Sequence, residues 1–492
     1  MDNYDRLSAL DASFLGLEDS RCHMHVGGVM LFDAGPLRTT EGGLDIDRVR
    51  EAIHARLHLV PRFRQRLAYL PYERLPIWID DEHFRLAYHV RHTALPRPGD
   101  ERQLKRLVGR IMSQPLDRGR PLWEMWFVEG MQDDTFTLIS KTHHCMIDGI
   151  SSADLISVIM EAEPNSDPGV PRSWTPRPRP SDTRLVVDEV RRRFAQPWEL
   201  VESLREAVRH PEIALRRVED AVSAIGEALS PALTPASETP LNVEVGPSRR
   251  FDWIPMEVSR FKAVKNRLGG TLNDVVLATV SGALRRFFIA RGANPDTMDV
   301  RAQVPVSVRT EDERGHLGNR VTELVAALPV HIADPVARLD AVRRTMGNLK
   351  ESKQALGGEV LTAIAEWTVP NLLVQAVRLG QRARPFNLIV TNVPGPQIPL
   401  YFLGCPMRTT YPVVPLFHNL CLVVGLFSYD GGLYWGLNAD WEQVPDLHDF
   451  AVAIQESFEE LEARAARAAE RVKRGGRGTR KPRRVRRASA AR

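Results

Sequence analysis

Cysteine is scarce in this chain, and its placement excludes two chemistries at once. Cys22, Cys145, Cys405 and Cys421 stand far apart in the sequence. They form no CxxC metal knuckle and imply no disulfide framework, which fits a reducing compartment. The opening stretch, MDNYDRLSALDASFLGLEDS, is acidic and lacks the basic-then-apolar pattern of a secretory leader. The most apolar run, Leu420 to Phe427, is far short of the ~20 residues a spanning helix requires. Neither GxGxxG nor a GxxxxGKS/T loop occurs, so a nucleotide-phosphate cradle has no support. These absences lead us to expect a cytoplasmic protein, soluble or attached to a membrane surface without crossing it.

What is present is globular composition, 43% hydrophobic and 26% charged over 492 residues. At roughly 150 residues per domain, that length suggests about three units. The net charge of +4 is unevenly spread. Residues 471–492 hold eleven Arg and Lys and no acid, so the remainder of the chain carries −7. This tail has no aromatic residue to stack on bases, and no nucleic-acid partner is expected. It reads either as a disordered solvating end or as a contact to anionic lipid, at about 1 kcal/mol per basic residue near the surface.

Residues 1–163 alternate short β-rich runs with amphipathic segments. His25–Phe32, Met125–Glu129 and Thr135–Lys141 read as strands, and Ile46–Leu57 and Gln103–Ile111 as helices. A loop carrying His143-His144 follows, then a helix from Ile150 to Met160. Residues 164–248 form a linker, Pro-rich at first and then helical from Arg184 to Leu229. Residues 249–470 repeat the mixed style. Strands are expected at 252–258, 300–308, 321–331, 387–391, 421–428 and 433–438, with helices at 272–289, 335–354, 359–379 and 447–469. Two layered α/β halves joined by a helical linker is the architecture this order favours.

The most informative segment is His143-His144-Cys145-Met146-Ile147-Asp148-Gly149. An HHxxxDG pattern arises by chance on the order of once in a thousand such chains. It lies between an apolar strand and an apolar helix, where a rigid strand end can aim a side chain into a cleft. Imidazole is the side chain best matched to taking a proton near neutral pH. Asp148 could pair with an arginine or orient a histidine, and Gly149 permits backbone forbidden to larger residues. Two other readings stand beside the catalytic one: a buried strand-to-helix turn, and a metal pair of His144 and Asp148. The latter lacks further ligands nearby. Cys145 is a poor nucleophile, because apolar Met146 and Ile147 raise a thiol's pKa.

The segment resembles the active-site motif of acyltransferases with the chloramphenicol-acetyltransferase-like fold, a group that includes peptide-synthetase condensation domains. Further motifs narrow the resemblance to the bacterial wax ester synthase/diacylglycerol acyltransferase family. They are Ser8-Ala9-Leu10-Asp11-Ala12-Ser13-Phe14, Met24-His25-Val26-Gly27, Pro121-Leu122-Trp123 and Asn273-Asp274. Pro305-Val306-Ser307-Val308-Arg309, Gly318-Asn319 and Asn392-Val393-Pro394-Gly395-Pro396 complete the set. Each is weak alone; their order from about residue 5 to 465 is not.

The resemblance implies an α/β (α+β layered) fold of two chloramphenicol-acetyltransferase-like domains, with the active site at their interface. It implies His144 as general base, His143 as its support, Asp148 as a structural or orienting residue and Gly149 as the turn. Asn273 would line the site and help hold an oxyanion, and Asp274 would be structural; read locally, the two are an N-cap pair. The implied substrates are acyl-CoA and a lipid alcohol, diacylglycerol or a fatty alcohol, with no cofactor and no metal. Eight lysines against 58 arginines suggest a high-GC genome, and with it triacylglycerol rather than wax ester. The implied location is the inner face of the membrane or the surface of lipid droplets. A carrier-protein-dependent condensation-type transferase and a non-catalytic lipid-droplet protein are the alternatives.

Overall fold

The computed structural model describes residues 3–71, 75–146, 158–191, 235–307, 321–354 and 384–477. In the first half, β1 (Asp5–Arg6) leads into helix α1 (Ala9–Leu17), capped by the Ser8 hydroxyl on the Asp11 N–H. Then come β2 (His25–Asp33), α2 (Ile46–Arg56), β3 (Gln65–Tyr69), β4 (Pro76–Asp80) and β5 (Val90–Ala94). Helix α3 (Glu101–Met112), β6 (Trp123–Glu129) and β7 (Thr135–His143) complete this half. A short helix occupies 182–191.

The second half contains β8 (Arg249–Glu257), α4 (Val258–Leu268), α5 (Leu272–Ala290), β9 (Val300–Ser307), β10 (Val321–Leu328) and α6 (Pro335–Gln354). It continues with β11 (Leu388–Pro394), β12 (Tyr401–Phe402), β13 (Cys405–Val413), β14 (Leu422–Tyr429), β15 (Gly432–Asp440) and α7 (Leu447–Arg477). The helices expected at 150–160 and 359–379, and the linker from 192 to 229, fall largely or wholly outside the described residues. Helix α7 runs past 469 and takes in the first seven residues of the basic segment, which had been expected to be disordered throughout.

Two six-stranded sheets dominate. One has the order β12-β13-β2-β7-β6-β5 and the other β10-β9-β11-β14-β15-β8; β1, β4 and β3 form a small third sheet. The first sheet therefore borrows two strands from the second half. Strand β13 pairs antiparallel with β2 from Met407↔Phe32 to Val413↔Gly27. No strand was expected at β13, which carries Pro406 and Pro412, residues disfavoured inside a sheet.

The halves also interlock through side chains. Trp253 of β8 stacks on Tyr411 of β13 at 5.0 Å between ring centroids. Helix α3 crosses β8 so closely that a Cβ at Gly109 would lie 2.6 Å from the Arg249 carbonyl oxygen. In the reverse direction, Cys22 and Met24 are wholly buried in the core of the second half. Burial of this kind, at ~25 cal/mol per Å² of apolar surface, holds the halves in register.

Candidate active site

The loop expected at His143-His144 is instead the end of a strand and the start of a turn. The β2–β7 ladder runs without a break to the pair His25↔His143, and His144 opens a 3₁₀ turn, His144–Met146. The close approach requires Gly27, where a Cβ would lie 1.9 Å from the Ser140 carbonyl oxygen. The main-chain N–H of His144 donates to the Met24 carbonyl at 2.7 Å. Each element of this geometry fixes where the imidazole emerges.

The His144 ring is stacked on Phe14 of α1, with centroids 3.9 Å apart and planes 27° apart. Part of its surface stays accessible. Its Nδ1 is buried and without a hydrogen-bond partner among the described residues. Burial, with a smaller contribution from the neighbouring His143, pushes this imidazole down to about 4, so it is uncharged at neutral pH.

His143 is fully buried and held from both sides. Its Nδ1 accepts the Cys145 N–H at 3.1 Å, which leaves the ring proton on Nε2. Nε2 lies 3.5 Å from a carboxylate oxygen of Glu18. Arg118 grips the same carboxylate, with Nη2 at 2.6 Å and Nε at 3.2 Å. Burial would raise the Glu18 carboxyl, but its bond and charge interaction with His143, then Arg118, override this and hold it down at about 2. His25 Nε2 and His23 Nδ1 face the other Glu18 oxygen at 3.6 and 3.9 Å. Burial pushes both of these histidines below the ordinary value.

Sequence reading missed Glu18, Arg118 and the contact made by Phe14. Phe14 and His25 lay inside quoted motifs, but nothing in their spacing announced that they meet the histidine pair. Asp148 and Gly149 lie outside the described residues. Cys145 is buried, and burial raises its thiol well above the ordinary value, which agrees with discounting it as a nucleophile. Trp123 is core, 1% exposed.

At α5 the cap differs from the local reading. Thr271 is the N-cap, and Asp274 closes a capping box by accepting the Thr271 N–H at 2.7 Å. Asn273 sits in the first turn, half-buried, and its amide makes no hydrogen bond to either histidine. Among the described residues, the one group of three side chains that could hold a metal ion is Asp19, Cys22 and His418, outside the histidine pair.

Two mixed sheets carrying a histidine pair at a strand end between the halves define the chloramphenicol-acetyltransferase-like acyltransferase class. The starter condensation domain of rhizomide synthetase shares this fold, with a TM-score of 0.56 over 94% of this chain and 95% of that one at 14% identity. The family follows from closer matches. Residues 7–276 match the wax ester synthase/diacylglycerol acyltransferase catalytic domain, and 317–462 match the family's C-terminal domain. A putative diacylglycerol O-acyltransferase of Mycobacterium tuberculosis is 32% identical over 471 residues, covering 93% of this chain and 90% of the relative. The wax ester synthase/diacylglycerol acyltransferase of Marinobacter aquaeolei VT8 superposes with a TM-score of 0.68 at 27% identity, over 94% of this chain and all of that one. The chain belongs to the wax ester synthase/diacylglycerol acyltransferase family and is an acyltransferase.

Proposed function

We propose that this enzyme transfers a long-chain acyl group from acyl-CoA to the hydroxyl of diacylglycerol, giving triacylglycerol, and that it also accepts a fatty alcohol to give wax ester. His144 is the general base. One of its nitrogens takes the hydroxyl proton as the oxygen attacks the thioester carbonyl. The C–S bond then breaks, and the proton passes to the departing CoA sulfur. Burial makes an imidazolium costly here, so the proton is handed on rather than stored. The thioester is already activated, and the step calls on no metal or other cofactor.

The observation that carries this reading is the His144 ring itself: uncharged, partly accessible, and aimed by Met24 and Phe14. His143, fixed by Glu18, is its support. Asp148 takes the orienting role and Gly149 the turn role that the family motif assigns them, Asn273 lines the site near the developing oxyanion, and Asp274 is structural through its cap. The relatives named diacylglycerol O-acyltransferases favour diacylglycerol as acceptor. Incubating the purified protein with labelled palmitoyl-CoA and either diacylglycerol or hexadecanol, then identifying the product, tests the assignment. Faster hexadecanol acylation would reverse the preference, and no product with either would overturn the reading.

No helix among the described residues is long and apolar enough to cross a membrane. The enzyme reaches its substrates as a peripheral protein on the inner membrane face or on lipid droplets, with the basic segment 471–492 meeting anionic lipid. Removing 471–492 should weaken binding to anionic liposomes and flatten its salt dependence. Unchanged binding would remove the segment from this role.

A further inference from the structure

We propose that Asp19, Cys22 and His418 form a site for a thiophilic divalent cation of the zinc class, which staples the two halves of the enzyme together. The three residues come from distant parts of the chain. Asp19 and Cys22 lie in the segment between α1 and β2, and His418 lies where the chain leaves the borrowed strand β13 for β14. One ligand atom from each converges within 4.8 Å of the others.

The donor chemistry and spacing suit such an ion. Cys22 Sγ is 3.6 Å from His418 Nδ1. Tetrahedral zinc with bonds of about 2.3 Å to sulfur and 2.0–2.1 Å to nitrogen separates two such ligands by roughly 3.6 Å. Asp19 is pinned through one oxygen, which accepts the N–H groups of Arg21 at 2.8 Å and Cys22 at 2.9 Å. Its other oxygen lies 3.2 Å from His418 Nε2. With one ligand atom of each residue within 4.8 Å of the others, that carboxylate is the third ligand.

Binding exchanges the thiol proton, released to solvent, for a metal–sulfur bond. A thiolate and a carboxylate then balance the charge of a dication. Two guanidinium groups act on Cys22: Arg21, which pairs with Glu244, and Arg249, which donates to main-chain carbonyls including that of Arg21. Cys22 is completely buried, whereas the side chains of Asp19 and His418 are 43% and 30% exposed. The ion enters from their side, where a water completes the fourth position.

The site would matter because of what adjoins it. Two residues beyond Cys22, the Met24 carbonyl receives the His144 N–H. An ion here would brace the segment that places the imidazole without touching the chemistry. The assignment is independent of which alcohol is acylated.

The test uses the full-length protein, stripped with chelator and titrated with Zn²⁺ and with Cd²⁺. We expect one equivalent to bind, an ultraviolet thiolate-to-cadmium charge-transfer band, and a Tm increase of roughly 5 °C at a hundredfold excess over Kd. Cys22→Ser should abolish the band, and His418→Ala should weaken affinity about tenfold or more. Should Cys22→Ser fail to fold, the partly exposed His418→Ala and Asp19→Asn variants carry the test, with their metal-free melting curves as the control. The absence of a cadmium band in the wild-type protein, or a cadmium affinity unchanged in His418→Ala, would overturn the proposal.

Discussion

The imidazole of His143 accepts the Cys145 N–H at Nδ1 and faces the Glu18 carboxylate at 3.5 Å through Nε2, whereas that of His144 is stacked on Phe14 with Nδ1 unpartnered. The two rings are adjacent in sequence, His143 as the last residue of β7 and His144 as the first of the 3₁₀ turn. Adjacency in sequence does not separate anchor from base; the neighbours brought in from α1 do, Phe14 beside His144 and the C-cap residue Glu18 beside His143. His143 is fully buried between a main-chain N–H and a carboxylate and serves as an anchor, whereas the His144 ring keeps part of its surface accessible to a substrate hydroxyl.

The contrast is tested hardest at His144. His144→Ala should lower kcat by about 10²–10⁴-fold with an unchanged far-ultraviolet spectrum, because it removes a positioned base. Near-wild-type turnover would end the base assignment. Glu18→Gln attacks the other ring. It should cost about 1–3 kcal/mol in urea unfolding, since a buried charge-assisted partner is lost to both His143 and Arg118, with a smaller loss of activity than His144→Ala. If Glu18→Gln were as inactive as His144→Ala while equally stable, the division of labour would fail.

The pH profile sharpens the same point. The His144 imidazole is lowered by burial to about 4, so its neutral form persists as pH falls through 6.5 and is lost only near 4. The acid limb of kcat/KM should therefore lie well below that of an ordinary histidine. The sign for stability follows: an unfolded chain protonates this ring at higher pH, so folding stability falls as pH drops from about 6.5 toward 4. A limb at 6.5 would show that burial does not govern the ring.

Smaller effects are expected further out. Phe14→Leu, which removes the stacked face, should reduce kcat about 2–10-fold, in line with the worth of an aromatic contact. Asp274→Asn should lower stability by about 1 kcal/mol through the α5 capping box, with little change in kcat. A large kcat loss at Asp274 without a change in melting would move it into the site.

Much of the scaffold was legible because it depends on local pattern. The period of α5 and the apolar run of β14 appear where expected, shifted by a residue or two at their ends. The histidine pair was legible because its spacing is rare. The partners of that pair were not, since Glu18 meets Arg118 across 100 residues and His143 across 125, and no local period encodes such a meeting. Likewise Cys22 and His418, 396 residues apart, gave no spacing signal, and reading cysteines by their neighbours alone set them aside. The helix cap was misplaced for a subtler reason. Thr271, Asn273 and Asp274 all favour helix starts, and only the hydrogen bonds choose among them.

The loan of β13 has a consequence for how this polypeptide is made. A ribosome finishes the first half long before Met407–Val413 exists, so β2 waits with an open edge exactly where β13 will later pair. Unpaired edges invite association between nascent chains. Separate expression of the N-terminal half should accordingly give aggregates, and supplying the C-terminal half in trans should rescue it. The first sheet is therefore complete only once β13 emerges, late in the synthesis of the chain.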